Sequence, residues 1–182
     1  MSMSGNAFLV GAALLLLPIT ASAHRLDEYL QATTIALSRD HVALHLRLVP
    51  GVEVAEGVIR QMDTNRNGIL SRTEQQAYVS RVTQSLSLSL NGQPLVLALN
   101  SATFSSLTAM HEGTGVVDLQ FTSGASLQNG SNHLTFHNRG SGPETVWLVN
   151  CLVPQDPDLH VLRQTRSRNQ SDYQLDIMAT PP

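Results

Sequence analysis

Side chains and carbonyl groups that carry oxygen recur at alternate positions between Asp63 and Glu74. The predicted donors are the side chains of Asp63, Asn65, Asn67, Ser71 and Glu74 and the backbone carbonyl of Ile69. Calcium prefers roughly six to eight oxygen ligands at about 2.3–2.6 Å, and a tight loop can supply them from alternate residues. The spacing matches the calcium loop of an EF-hand at each key position, so it predicts one bound Ca²⁺.

The residues around these donors fit the same interpretation. Gly68 stands where the chain must take a positive φ to wrap an ion. An apolar-periodic helix is predicted before the loop, with Val54, Val58, Ile59 and Met62 on one face, and a second helix is predicted after Ser71.

The small number of anionic donors predicts weak calcium binding. Asp63 and Glu74 are the anionic donors, and Arg66 and Arg72 lie close to them in the sequence. We expect a dissociation constant of roughly 10⁻⁵ to 10⁻³ M, and structural calcium is favoured over calcium sensing. A loop that keeps the turn but holds no ion stays open as an alternative. Leu70 is expected to pack on the rest of the domain rather than pair with a second loop.

The seven histidines raise a second metal hypothesis. His41 and His45 share one predicted strand face, as do His133 and His137, but residues four apart in a strand are about 13 Å apart. Such a pair cannot hold one ion, so solvated or structural histidines are favoured. His24 differs, because a mature N-terminus there would place an amine beside an imidazole that could bind nickel or copper.

Motifs for several enzyme classes are missing from the sequence. There is no G-x-S-x-G, H-E-x-x-H, glycine-rich phosphate loop or C-x-x-C pattern. The 11 basic residues are all arginine, which excludes chemistry that needs a lysine, and the net charge of −3 argues against a nucleic-acid partner. We therefore expect a protein that is not an enzyme.

Apolar side chains alternate over most of the remaining sequence, and this period predicts strands. We expect a mainly β fold with an α insertion: an antiparallel β-sandwich of about eight strands that carries a helix-loop-helix at about residues 52–84. Strands are predicted at 29–37, 41–49, 85–90, 94–99, 115–122, 132–138, 145–153, 160–164 and 173–177. Residues 24–178 form the predicted domain and 179–182 a frayed tail. The single cysteine, Cys151, is expected to be a buried, inert thiol.

The first residues read as a targeting segment. An apolar run from Ala7 to Ile19 is too short to span a bilayer and is followed by Ala21-Ser22-Ala23, a pattern typical of a cleavage site. We predict a signal peptide over residues 1–23 and a periplasmic, soluble mature domain.

Three segments together resemble a known group of proteins. Residues 24–33 after the signal peptide, the EF-hand-like loop and residues 148–154 (Leu-Val-Asn-Cys-Leu-Val-Pro) are similar to the extracytoplasmic N-terminal domain of HupE/UreJ-like, nickel/cobalt transporter-like bacterial membrane proteins. The resemblance spans about residues 24–178 and implies a periplasmic location and an association with metal uptake. Those proteins continue into transmembrane helices, so any transport is expected from a separate membrane protein.

These observations predict a periplasmic calcium-binding accessory or docking domain whose partner is a membrane transporter or envelope protein. The alternative is a transition-metal (nickel, cobalt or copper) binding partner of a membrane transporter, which uses His24 and histidines of neighbouring strands. The oligomeric state cannot be read from the sequence.

Overall fold

Two five-stranded sheets form the body of the protein, for which a computed structural model describes residues 27–181. The first sheet has the order β5-β6-β2-β1-β8. Its strands are β1 (Tyr29–Leu37), β2 (His41–Pro50), β5 (Ala98–Phe104), β6 (Val117–Gly124) and β8 (Thr145–Cys151).

The second sheet has the order β4-β3-β7-β10-β9. Its strands are β3 (Leu86–Leu90), β4 (Gln93–Leu95), β7 (Gly130–Asn138), β9 (Leu159–Arg166) and β10 (Asp172–Ala179). Three helices accompany the sheets in the described part of the chain: α1 (Val52–Met62), α2 (Arg72–Ser85) and α3 (Leu107–His111).

One hydrophobic core lies between the sheets. Every second side chain of β1, β2, β6, β7 and β10 is buried, as the period of two in the sequence predicts. Leu46 and Leu119 of the first sheet and Leu134 and Leu175 of the second belong to the same buried cluster and are fully shielded from solvent. The predicted mainly β sandwich with a helical insertion is therefore confirmed.

The described residues form ten strands where about eight were expected, and one predicted strand differs from the expected list. The predicted strand 94–99 is divided: β4 pairs with β3 in the second sheet, and β5 pairs with β6 in the first. The chain changes sheets at Val96 and Leu97, where Leu97 packs against the core and Val96 is exposed. β5 is an edge strand with largely exposed residues, so alternation gave little signal for it.

One pairing is not antiparallel. β8 runs parallel to β1, with Tyr29 opposite Thr145 and Ile35 opposite Cys151. All other pairings between described strands are antiparallel. Alternation along one strand does not report the direction of its neighbour, and the sequence could not indicate this pairing.

The helical insertion connects the two sheets. α1 follows β2 of the first sheet, and α2 leads directly into β3 of the second. Both helices are anchored in the core, α1 by Val54, Val58 and Met62 and α2 by Tyr78 and Val79. Leu70, in the loop between them, packs against the same core, as predicted. No helix within residues 27–181 is long and apolar enough to cross a membrane.

Near the C-terminus the last strand extends past the predicted domain end at residue 178. Ala179 is the final residue of β10 and is buried, and the backbone N–H of Thr180 donates to the carbonyl oxygen of Asp158 at 3.0 Å. Cys151 is partly buried, and desolvation raises the pKa of its thiol to about 11. A thiol with so high a pKa is a poor nucleophile at neutral pH, in keeping with the predicted inert cysteine.

Truncation of a core leucine should destabilise the sandwich strongly. Leu119→Ala leaves a cavity between the sheets, so the free energy of unfolding should fall by about 2–5 kcal/mol in urea denaturation. Leu162→Ala serves as the matched control, because Leu162 is 60% exposed on β9, and should change that free energy by less than about 0.5 kcal/mol. Equal losses in the two variants would contradict a core at this position.

Candidate metal centre

The predicted calcium loop connects the end of α1 to the start of α2. Asp63 is the C-terminal cap of α1, and its backbone N–H donates to the carbonyl oxygen of Ile59 at 2.8 Å. Ser71 is the N-cap of α2 and forms a capping box with Glu74: the Ser71 Oγ accepts from the Glu74 N–H, and the Glu74 carboxylate accepts from the Ser71 N–H. Both ends of the loop are therefore fixed by helix termini.

The carboxylate of Asp63 is turned into the loop. Its Oδ1 accepts from the N–H of Asn67 at 3.2 Å, and its Oδ2 accepts from the N–H of Gly68 at 2.8 Å. Asp63 is only 4% exposed, although it is an acidic residue in a loop. A buried carboxylate needs such partners, because the charge would otherwise be costly to remove from water.

Glu74 closes the loop from the opposite end. Its Oε1 accepts from the N–H groups of Thr64 (2.9 Å) and Asn65 (3.3 Å) and from the Thr64 hydroxyl (3.2 Å). Its Oε2 accepts from the N–H (3.1 Å) and hydroxyl (2.7 Å) of Ser71. The hydrogen bonds from Ser71, followed by those from Asn65 and Thr64, lower the pKa of Glu74 to about 2. The side chain is therefore an anion at neutral pH, 7% exposed and held at the centre of the loop.

The two asparagines also direct their side-chain oxygens to the loop backbone. The Oδ1 of Asn65 accepts from the N–H of Asn67 at 3.0 Å, and the Oδ1 of Asn67 accepts from the N–H of Ile69 at 2.9 Å. Gly68 has a φ of +76°, as the turn requires, and Arg66 also has a positive φ of 59°. The predicted donors Asp63, Asn65, Asn67, Ser71 and Glu74 are thus gathered on one short loop, together with the backbone of Ile69.

The chemistry of this set fits a hard cation. The side-chain donors are oxygen atoms, two of them from carboxylates, and neutral amide, hydroxyl and carbonyl oxygens make up the rest. Within residues 27–181 no three His, Cys, Asp or Glu side chains lie together as a metal-binding group. Calcium accepts neutral oxygens readily, whereas softer transition metals do not favour them.

Thr64 is a site residue that the sequence interpretation missed. It occupies the second position of the loop, whose side chain is not among the expected donors, yet its N–H and hydroxyl both bind Glu74. Only its place between Asp63 and Asn65 could have suggested this contact.

Four of the histidines each contact an aspartate. His45 Nε2 lies 2.7 Å from Asp118, His133 Nδ1 lies 2.8 Å from Asp176, and His137 Nδ1 lies 2.5 Å from Asp172. His41 contacts its neighbour Asp40 at 2.7 Å. These partly solvated pairs agree with the structural interpretation of the histidines. His24 lies outside the described residues, as do residues 1–23, the predicted signal peptide.

Comparison with known proteins does not assign the chain to a family. No protein-family model matches the chain, and a search of curated proteins finds no significant match.

Substitution of Gly68 should strain the loop even without metal. A Cβ at Gly68 meets no atom within 4 Å, so the cost of Gly68→Ala comes from the φ of +76° alone. We expect a loss of about 1–2 kcal/mol in the free energy of unfolding, measured in EDTA. Gly124→Ala is the matched control: its Cβ also meets no atom within 4 Å, its φ is not positive, and it should change stability by less than about 0.5 kcal/mol. A neutral Gly68→Ala would contradict the positive φ.

Acid should weaken the ion pairs on the outer face of the second sheet. The Arg139 guanidinium, with His137 and Ser171, holds the pKa of the Asp172 carboxyl well below its ordinary value of 3.8. Because folding lowers this pKa, the contribution to stability is present above about pH 4 and is lost as the pH falls through the folded pKa. A ¹³C-carboxyl NMR titration should give a midpoint well below 3.8 that rises in Arg139→Gln. A wild-type midpoint near 3.8, unchanged in the variant, would exclude the pairing.

Proposed function

We propose that residues 63–74 bind one calcium ion and that the ion stabilises the connection between the two sheets. The observation that carries the proposal is the convergence of two buried carboxylates, Asp63 and Glu74, from opposite ends of the loop onto its backbone N–H groups. Asp63, Asn65, Asn67, Ser71 and Glu74 would hold the ion through side-chain oxygens, and Ile69 through its carbonyl. Calcium would neutralise the two negative charges and link both helices through one centre.

The contacts of Glu74 support a weak site. A carboxylate that binds calcium through both oxygens must give up part of its five hydrogen bonds, three on Oε1 and two on Oε2. These hydrogen bonds compete with a cation for the carboxylate oxygens. We therefore keep the expected dissociation constant of roughly 10⁻⁵ to 10⁻³ M, which suits an extracellular module.

The position of the loop supports a structural role for the ion. α1 and α2 are each anchored in the core and join strands of different sheets, which leaves the helix pair little freedom to open. At a free calcium concentration about tenfold above the dissociation constant, binding would stabilise the fold by about 1.4 kcal/mol. This free energy suffices to order a loop, but it is small compared with the free energy that burial of the core contributes to folding.

The cellular role belongs to the same proposal. The predicted signal peptide and the resemblance to extracytoplasmic domains of HupE/UreJ-like proteins support a periplasmic, non-enzymatic accessory or docking domain. Its partner would be a membrane transporter or another envelope protein.

Thermal melts test the calcium proposal. Free calcium at about ten times the dissociation constant, added to EDTA-treated protein, should raise the Tm by about 3–6 °C, from the expected binding energy and the size of the domain. Magnesium, nickel and copper should have smaller effects. Glu74→Gln should remove the calcium shift because it eliminates one of the two anionic ligands.

Glu112→Gln provides the control, because it makes the same chemical change at an exposed position at the end of α3. It should retain the whole calcium shift. The proposal is wrong if millimolar calcium leaves the Tm of the wild type unchanged. A larger rise with nickel or copper than with calcium would instead favour the transition-metal alternative.

A further inference from the structure

A concave region lies beside the helix pair, where α1 and α2 meet β1 and the segment after β7. It is a cleft of about 500 Å³, within the usual range of about 300–1,000 Å³ for small-molecule sites. α1, α2, β1, the start of the calcium loop and the segment after β7 all contribute to it. Elements distant in the sequence thus meet around one cavity.

The charges on this cleft have one sign. Arg60, Arg81 and Arg139 line it, and no aspartate or glutamate is among its described lining residues. The chain as a whole has an acidic excess, with 14 acidic against 11 basic residues. Three of those arginines around one cavity therefore oppose the overall charge and create a local positive field.

The partners of the arginines leave this field only partly compensated. Arg60 pairs with Glu56 at 3.1 Å, and Arg139 pairs with Asp172 at 2.7 Å, but neither carboxylate lines the cleft. Arg81 is held by neutral groups: it donates to the carbonyl oxygen of Gln61, and its guanidinium carbon lies 5.7 Å from the centre of the Tyr78 ring.

Side chains of α2 and β1 that hold hydrogen bonds or follow one helix face line the cleft. Tyr78, Arg81, Val82 and Ser85 follow one face of α2, and the buried hydroxyl of Tyr78 is hydrogen-bonded to that of Tyr29. Gln31 is buried at the cleft, and its side-chain oxygen accepts from Asn138 at 3.0 Å. Gly140 packs closely against this side chain, since a Cβ there would lie 2.7 Å from the Gln31 oxygen.

We propose that this cleft binds a small organic anion that carries phosphate or carboxylate groups. A guanidinium offers two parallel N–H donors to such oxyanions, and three guanidinium groups around one cavity can contact a ligand with more than one anionic group. Val82, which is only partly buried, provides an apolar surface for the remainder of the ligand. This site does not depend on calcium.

Isothermal titration calorimetry of the purified protein tests the proposal, with pyrophosphate and citrate as probes and trehalose as a neutral control. The buffer is free of calcium and of chelator, because both anions bind calcium and would otherwise act on the loop. We expect saturable 1:1 binding of at least one anion with a dissociation constant below about 1 mM, weakened by added NaCl. The stronger probe identifies phosphate or carboxylate as the preferred group.

Substitutions of the cleft arginines test whether the anion binds in the cleft. Arg81→Gln should weaken it about tenfold or more, and Arg81→Lys should have an intermediate effect because it keeps the charge but loses the planar pair of donors. Arg60→Gln tests whether the α1 side of the cleft contributes to binding. It should leave the fold intact, because the ion pair of Arg60 with Glu56 is exposed. Circular dichroism and the Tm report whether each variant is folded.

Arg163→Gln is the matched control, because Arg163, like Arg60, pairs with one carboxylate (Asp176 at 2.7 Å) but lies on β9 away from the cleft. It should bind the probe as the wild type does. Absence of binding at millimolar concentrations of both anions would overturn the proposal. So would an equal loss in Arg163→Gln and the folded cleft variants, since that result indicates general charge attraction.

Discussion

The burial of alternate side chains between the two sheets is the interaction on which the rest of the structure depends. It fixes which residues of each strand face the core, and therefore which face outward. The outward positions of β2, β6, β7 and β10 carry the histidine–aspartate pairs, such as His133 with Asp176. The same core anchors α1 and α2, so that the loop between these helices has two fixed ends.

The loop compensates the negative charges of two buried carboxylates largely with hydrogen bonds from its own backbone N–H groups. Asp63 and Glu74 accept hydrogen bonds from loop N–H groups and from the hydroxyls of Thr64 and Ser71. Hydrogen bonds of this kind hold the carboxylates in place, which reduces the ordering that binding requires. The same hydrogen bonds compete with a cation for the carboxylate oxygens, and this competition is the physical reason to propose modest affinity.

The helix pair and its loop carry two different kinds of chemistry. The connecting loop gathers anionic and neutral oxygens suited to a cation, whereas the cleft beside α2 gathers guanidinium groups suited to an anion. Thr64 belongs to both, because it binds Glu74 and also lines the cleft. The insertion that joins the sheets thus carries both proposed binding sites, and the sandwich supplies the rigid support for each.

The sequence by itself determined the features that depend on neighbouring residues. The period of two located most strands, and the spacing from Asp63 to Glu74 located the loop with Gly68 at its positive φ. Ser71 with Glu74 marked the start of the second helix. Each of these signals lies within about a dozen residues, where local geometry decides the outcome.

Only the tertiary structure decided which distant residues meet. The parallel pairing of β8 with β1, the division of the predicted strand 94–99 between two sheets and the aspartate partners of the histidines all depend on strand order. The cleft depends on it too, since Arg60, Arg81 and Arg139 are far apart in the chain. Alternation along a strand states which face is buried but not which strand lies beside it, so these contacts follow from packing of the whole chain.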